Sequence, residues 1–271
     1  MIPEFLTYLR SIRGYSPNTI RSYEKDLHEF ARWISSNYPG TRWSTITRSH
    51  IDSYIVAQET AGKKPATTNR QLSAISSLYS YLRREGNNIP NPCQYESRRK
   101  VGSKAPDTIP MTAITEAYRN TKGYVHSLLG ILALTGMRIQ EALNLTNSDI
   151  DIENGRIKVN GKGSKERYID VEKSTLISTL NLYYKPNQAH SRIYPFTQRH
   201  ARYIIWEAVK PYTNATKISP HIIRHTVATY MANKGESAIT IAKVLGHSHI
   251  ETSQKYINFS QVEKATTGIT L

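Results

Sequence analysis

The feature that most constrains this chain of 271 residues is a break in its pattern. Residues 87–110, NNIPNPCQYESRRKVGSKAPDTIP, carry four prolines, a basic cluster at Arg98-Arg99-Lys100 and no hydrophobic period. Such a stretch cannot run through a packed core, so the two flanking segments must each bury their own apolar residues. The length suits two domains. We assign residues 1–90 to an N-terminal helical domain, 91–108 to a linker and 109–271 to a C-terminal domain.

The first segment reads as four helices. Ile2, Phe5, Leu6 and Leu9 follow a helical period. Ser16-Pro17 reads as an N-cap followed by proline at the first helical position. Ile20, Tyr23, Leu27, Phe30 and Ile34 then recur at spacings of three and four. A third helix is expected over 48–60, ended by Ala61-Gly62, and a fourth from about Thr67 to Gly86. The second segment starts helical over 111–145. In RIKVNGKGSKERYIDV, alternation at Ile157 and Val159, a GKGSK turn, and Tyr168, Ile169 and Val171 predict a β-hairpin. Helices are expected near 173–184, 198–212, 220–233, 237–245 and 249–259. The expected fold is therefore mainly α with a small antiparallel β-sheet.

Charge narrows the partner. The chain has 36 Lys plus Arg against 21 Asp plus Glu, a formal net charge of +15. Residues 1–100 hold 15 basic and 8 acidic residues, leaving 21 and 13 for the remainder. Both halves are basic, which suits two domains clamping one polyanion. Cys93 is the only cysteine, so no disulfide framework forms within the chain, in keeping with a reducing compartment. No apolar run approaches the ~18 residues of a membrane span. Glu4 interrupts any signal-peptide core, so a cytoplasmic protein is expected.

The C-terminal segment concentrates the candidate chemistry. In SPHIIRHT, Ser219 caps a helix that Pro220 opens, which puts His221 and Arg224 on one face of its first turns. That end of a helix favours anions. His221 and His225 also stand at the spacing of a helical metal pair. Arg224 between them opposes a cation, no Glu takes the place of a metalloprotease base, and a third ligand would have to be His247 or His249. In LGHSHIETSQKYIN, Gly246 ends one helix, and Ser248 with Glu251 makes a capping box for the next. His247 thus stands at the joint. Ile250 and Ile257 are expected to face the core, with Tyr256 on an adjacent face. Upstream, Arg138 and Glu141 are three apart at the start of a short helix and can pair.

The boxes TGMRIQEAL, GKGSKER, SPHIIRHT and LGHSHIETSQKYIN, in this order, resemble the signature of the tyrosine recombinases, the family of Xer resolvases and phage integrases. YSPNTIRSYEKDLHEFARW resembles the SAM-like core-binding domain of the same family, so the resemblance covers almost the whole chain. It implies an N-terminal four-helix DNA-binding domain and an α+β catalytic domain. It implies that Arg138, Lys162, His221, Arg224, His247 and Tyr256 are catalytic, with Glu141 supporting the first box and Lys165 a competitor of Lys162. Tyr256 would attack DNA to give a 3′-phosphotyrosine and a free 5′-hydroxyl, with no metal, ATP or other cofactor. His221 is the expected acceptor of the phenol proton, Lys162 the donor to the leaving oxygen. The implied partners are double-stranded DNA bearing a recombination site and three further copies of the chain, a tetramer on two sites. The tail after Tyr256 would dock on a neighbouring protomer, as in Xer-like relatives. There is no room for the arm-binding domain of lambda-like integrases. The alternatives within reach of the same residues are a type IB topoisomerase and a non-catalytic DNA-binding protein on this scaffold.

Overall fold

The computed structural model describes residues 1–94, 105–161, 166–180 and 183–267, with the side chains of the last helix described as far as Ser260. The chain divides into two compact units, Met1–Ser103 and Lys104–Leu271.

In the first unit the described elements are helices: α1 (Ile2–Ser11), α2 (Pro17–Asn37), α3 (Arg48–Thr60) and α4 (Pro65–Arg84). Ser16 Oγ accepts the Thr19 amide at 3.3 Å, so the cap and proline read from the sequence start α2. α4 begins two residues before the expected Thr67, because Pro65 takes the first position, where its missing N–H costs nothing. Phe5, Leu27, Phe30, Tyr54, Leu78 and Tyr79 fill the core. Phe30 meets Tyr54 edge-on, with centroids 4.9 Å apart. Among the described residues of this unit one charged side chain is buried: Asp26 accepts Arg70 Nε and Nη2, each at 2.9 Å, joining α2 to α4.

The second unit is α+β. Its described elements are α5 (Met111–Asn120), α6 (Gly123–Thr135), α7 (Ile139–Asn144), β1 (Ile150–Asp151), β2 (Arg156–Asn160), β3 (Glu166–Asp170), α8 (Lys173–Leu180), α9 (Gln198–Val209), α10 (Pro220–Asn233), α11 (Ala238–Leu245) and α12 (Glu251–Thr267). The helical stretch expected over 111–145 is three helices. The sheet is antiparallel in the order β1-β2-β3. β2 and β3 form the expected hairpin, with Ile157 opposite Ile169 and Val159 opposite Arg167. β1 was not foreseen, since two residues carry no period. Of the GKGSK turn at 161–165, residues 162–165 lie outside the described residues, as does most of the segment read as a linker.

The core of the second unit surrounds α6, whose Leu128, Leu129, Ile131 and Leu132 are buried and which packs against α5, α7, α8, α9 and α10. A satellite cluster joins α10, α11 and α12 through Ala228, Ala232, Ile241, Leu245 and Tyr256. α12 starts at Glu251. Ile250 precedes it and is 45% exposed, so the expectation that Ile250 faces the core fails: the helical period does not reach it. Ile257 does pack on the satellite cluster. Ser248 stands in the turn before α12, and no capping bond from its side chain is described. Among the described residues no helix is long and apolar enough to cross a membrane.

Candidate active site

The site is organised by the end of α11. Ser237 Oγ accepts the Thr240 amide at 3.0 Å and starts this helix, and Gly246, at φ +69°, stops it. A helix end leaves its last carbonyls without intrahelical partners and carries the negative dipole pole. Here three successive carbonyls each receive a different guanidinium. Val244 O accepts Arg167 Nε at 2.9 Å, Leu245 O accepts Arg224 Nη2 at 2.8 Å, and Gly246 O accepts Arg138 Nη2 at 3.3 Å.

Each arginine has a second anchor. Arg224 Nη1 donates to Gly136 O at 3.0 Å, at the left-handed turn that ends α6. Arg138 and Arg167 share the Glu141 carboxylate: Arg138 Nη1 lies 2.9 Å from Oε1 and Arg167 Nη2 2.8 Å from Oε2. Glu141 Oε2 also accepts the Arg138 amide at 2.8 Å, so the acid caps α7. Burial alone would push the Glu141 carboxyl up, but the hydrogen bonds from Arg167 and Arg138 outweigh it and hold the carboxyl below its ordinary range. Arg224 is buried, and burial followed by the Arg138 charge pushes its pKa down to about 10. It stays protonated at neutral pH.

Gly246 is required twice over. Its φ disfavours any side chain, and a Cβ there would stand 2.8 Å from Arg167 Nη1. The backbone and the guanidinium approach each other only because no side chain separates them.

Tyr256 lies beside this hub. Contrary to the expected adjacent face, it is 3% exposed within the satellite cluster. Its hydroxyl is 2.6 Å from Nδ1 of His225. Burial raises the phenol's pKa, with Arg224 pulling the other way, so the phenol is protonated at neutral pH. The His247 ring lies nearly parallel to the phenol, centroids 6.3 Å apart, and its Nδ1 bonds Ser253 Oγ at 2.7 Å. Burial, then Arg224 and Arg138, push His247 down to about 4. His221, in the first turn of α10, is exposed, although burial of part of its ring and then Arg202, Arg224 and Arg138 still lower its pKa.

Of the residues singled out in the sequence, the structure brings Arg138, Glu141, Arg224 and the backbone before His247 onto one helix end, with Tyr256 next to them. The expected contact between His221 and Tyr256 is not what the structure holds. The phenol bonds His225, one helical turn further into the unit, where α10 meets α12. Lys162 and Lys165, like the end of the tail after Thr267, lie outside the described residues. Two participants are not among the catalytic residues expected from the sequence: Arg167, and His225, which the sequence offered only as half of a metal-pair spacing. The hairpin period does place Arg167 on the face of buried Ile169, an inward position where a charge signals a partner. The four-residue spacing to His221 marks His225, but as a metal ligand and not as a partner of Tyr256.

Arg138, Arg167, Lys243, Tyr168, Gly161 and His247 line an open cavity of about 500 Å³. Its basic walls, with imidazole and guanidinium donors, suit an oxyanion such as a phosphodiester. Among the described residues no group of three or more His, Cys, Asp or Glu side chains is placed to hold a metal ion.

Comparison with known proteins agrees over both units. Residues 110–262 match the model of the phage integrase family, and residues 2–86 match the phage integrase N-terminal SAM-like domain. Tyrosine recombinase XerD of Oceanobacillus iheyensis is 29% identical, across 96% of this chain and 94% of that protein. Tyrosine recombinase XerC of Listeria welshimeri is 28% identical, across 97% and 94%. Among solved structures, the XerH site-specific recombinase in its post-cleavage complex with a palindromic difH substrate superposes with a TM-score of 0.77 at 21% identity, across 99% of this chain and 84% of that one.

Proposed function

The chain belongs to the phage integrase family, and on that premise we propose that it is a site-specific DNA recombinase with Tyr256 as nucleophile. One observation carries the reading: guanidiniums of Arg138, Arg167 and Arg224 are fixed on successive carbonyls of one helix end, beside a buried tyrosine. Arg138 and Arg224 bind the non-bridging oxygens of the scissile phosphate, where negative charge grows as a fifth oxygen approaches phosphorus. His247 and His221 donate hydrogen bonds to the same phosphate. Lys162 protonates the leaving 5′-oxygen, which is far more basic than a phenolate. The phosphodiester bond energy is kept in the phosphotyrosine and returned when another 5′-hydroxyl attacks, so rejoining needs neither metal nor ATP.

The basic N-terminal unit serves as the core-binding domain, with residues near 91–108 as the linker. Two duplexes present four strands to be cut, which calls for four protomers on a pair of recombination sites. The cytoplasm is where a chain of this type meets its DNA.

The test is covalent capture. The protein is incubated in EDTA with nicked duplexes of randomised sequence, and denaturing gels are read for a protein–DNA adduct. The expected result is an adduct with the phosphate mapped to Tyr256 and no adduct from Tyr256→Phe. An adduct that persists in Tyr256→Phe, or that needs a divalent ion, overturns the proposal.

A further inference from the structure

Two imidazoles, His225 and His247, lie beside the proposed nucleophile, a third, His221, stands one turn earlier on α10, and they are not equivalent. His247 Nδ1 is engaged by Ser253 Oγ at 2.7 Å, and its ring lies parallel to the phenol instead of pointing a nitrogen at it. His221 is exposed and has no described bond to Tyr256. His225 alone directs a ring nitrogen at the hydroxyl, at 2.6 Å. That is short for a neutral pair and within the reach general-base transfer needs.

Resting on the reading of Tyr256 as nucleophile, we propose that His225 is the catalytic base of strand cleavage, its Nδ1 taking the phenol proton as Tyr256 Oη attacks phosphorus. The Oη–P bond forms and the P–O5′ bond breaks. The phenol proton passes to Nδ1 and makes an imidazolium. The leaving 5′-oxygen takes a separate proton from the acid, the role given to Lys162. On rejoining, the acid left neutral by cleavage takes the proton of the incoming 5′-hydroxyl, that oxygen bonds phosphorus as the P–Oη bond breaks, and the imidazolium returns its proton to the phenolate.

The surroundings of His225 suit this cycle. Its α10 neighbours are His221 and Arg224, Asp107 faces it from the segment before α5, Tyr256 from α12, and His247 from the joint between α11 and α12. Burial and then His221 and Arg224 lower its pKa, with Asp107 opposing, so at neutral pH the ring is uncharged. With its proton on Nε2, the ring offers Nδ1 as an acceptor. His225 also lines a cavity of about 510 Å³ with Asp107, Trp206 and His221, a route by which the imidazolium exchanges its proton with solvent. A phenol raised by burial is where such an acceptor has most effect, because very little phenolate exists without it.

The test uses the full chain and duplexes of randomised sequence, nicked and carrying a 5′-bridging phosphorothioate, whose good leaving group makes the acid step unnecessary. Initial rates of adduct formation are compared for the parent, His225→Gln and His225→Ala from neutral pH up to the ionisation range of the phenol. Gln keeps a hydrogen-bond acceptor at the site but cannot take the proton, so it guards against a loss that is only structural. Both variants are expected to be slower at neutral pH by roughly 10²–10⁴-fold. The gap should close as pH rises and the phenol ionises unaided, and added imidazole should partly restore His225→Ala. A rate equal to the parent's, a gap independent of pH with no imidazole effect, or an accelerated rate (His225 acting only as a restraint) overturns the assignment. Failure of the parent itself to form an adduct would overturn the nucleophile reading instead.

Discussion

Replacing Gly246 by alanine tests whether the end of α11 holds the arginines in place. The residue sits at φ +69°, where an L-residue costs about 1–2 kcal/mol. The new Cβ would stand 2.8 Å from Arg167 Nη1 and 3.0 Å from Cζ, closer than packed atoms tolerate. Arginine usually swings away from such a contact. This one is held at Val244 O by a 2.9 Å bond and at Glu141 by a 2.8 Å bond. The Val244 bond is the weaker anchor, since its acceptor is neutral, so it should give first. A hydrogen bond from a charged donor is worth about 1.5–3 kcal/mol. The expected total is therefore about 3–4 kcal/mol, taking the middle of each range. In an Arg167→Ala background the clash is gone and only the backbone cost of about 1–2 kcal/mol should remain. The difference, about 2 kcal/mol, is the coupling between the glycine and the guanidinium. Because the chain has two units, unfolding should be followed by hydrogen exchange of α10 and α11 amides in urea, which reports the second unit alone. A cost that is the same in both backgrounds would refute the idea that Gly246 is there to admit Arg167.

Three further outcomes follow from the same geometry. Glu141→Gln removes the one charge shared by Arg138 and Arg167 and should destabilise the second unit by about 2–4 kcal/mol, discounted from the ~3–5 kcal/mol of a broken buried pair because Arg138 is 39% exposed; urea unfolding measures it. Arg224→Lys cannot span Gly136 O and Leu245 O together, so adduct formation should fall by roughly 10²-fold or more with little change in DNA affinity, read by single-turnover kinetics beside a gel-shift titration. His247, pushed down to about 4 from an ordinary 6.5, binds its proton in the unfolded chain before the folded one does. Stability is then intact above 6.5 and falls as pH drops from 6.5 to about 4, with His221 and His225 shifted in the same direction, and His247→Gln should flatten the fall in the urea midpoint.

Parts of this molecule are legible from the residues alone because the responsible physics is local. Ser219-Pro220 announces the start of α10, and Ser219 Oγ does accept the Ile222 amide at 3.3 Å. The Arg138–Glu141 pair follows from spacing, since residues three apart on a helix are neighbours. Arg167 is half legible. Alternation in β3 turns it inward with Ile169, but its acceptors lie 26 and 77 residues away and depend on how α7 and α11 meet the hairpin. Tyr256 is opaque. The sequence ETSQKYINFS has no apolar stripe to mark one face of α12, so neither its burial nor its bond to His225, 31 residues distant, has a local cause. Where the family resemblance implied His221 as the acceptor, the packing of α12 on α10 puts the histidine one turn later against the phenol.

The choice of neutral partners for the arginines has an electrostatic reason. Among the described residues, Arg138 and Arg167 are ion-paired to one carboxylate, Glu141, while Arg224 donates only to carbonyls, and the carbonyls of Gly136, Val244, Leu245 and Gly246 take the remaining anchoring bonds. Three guanidiniums and one carboxylate leave two formal positive charges at the site. A carbonyl satisfies a buried N–H donor and fixes its direction without cancelling that charge, whereas a second or third carboxylate would have neutralised the site and repelled a phosphodiester. The helix end adds only a partial negative charge, about half an elementary unit. Each guanidinium also has more N–H donors than these anchoring bonds use. Arg138 and Arg224 can therefore donate to phosphate oxygens while staying on Gly246 and Leu245, so binding the substrate and holding the geometry do not compete.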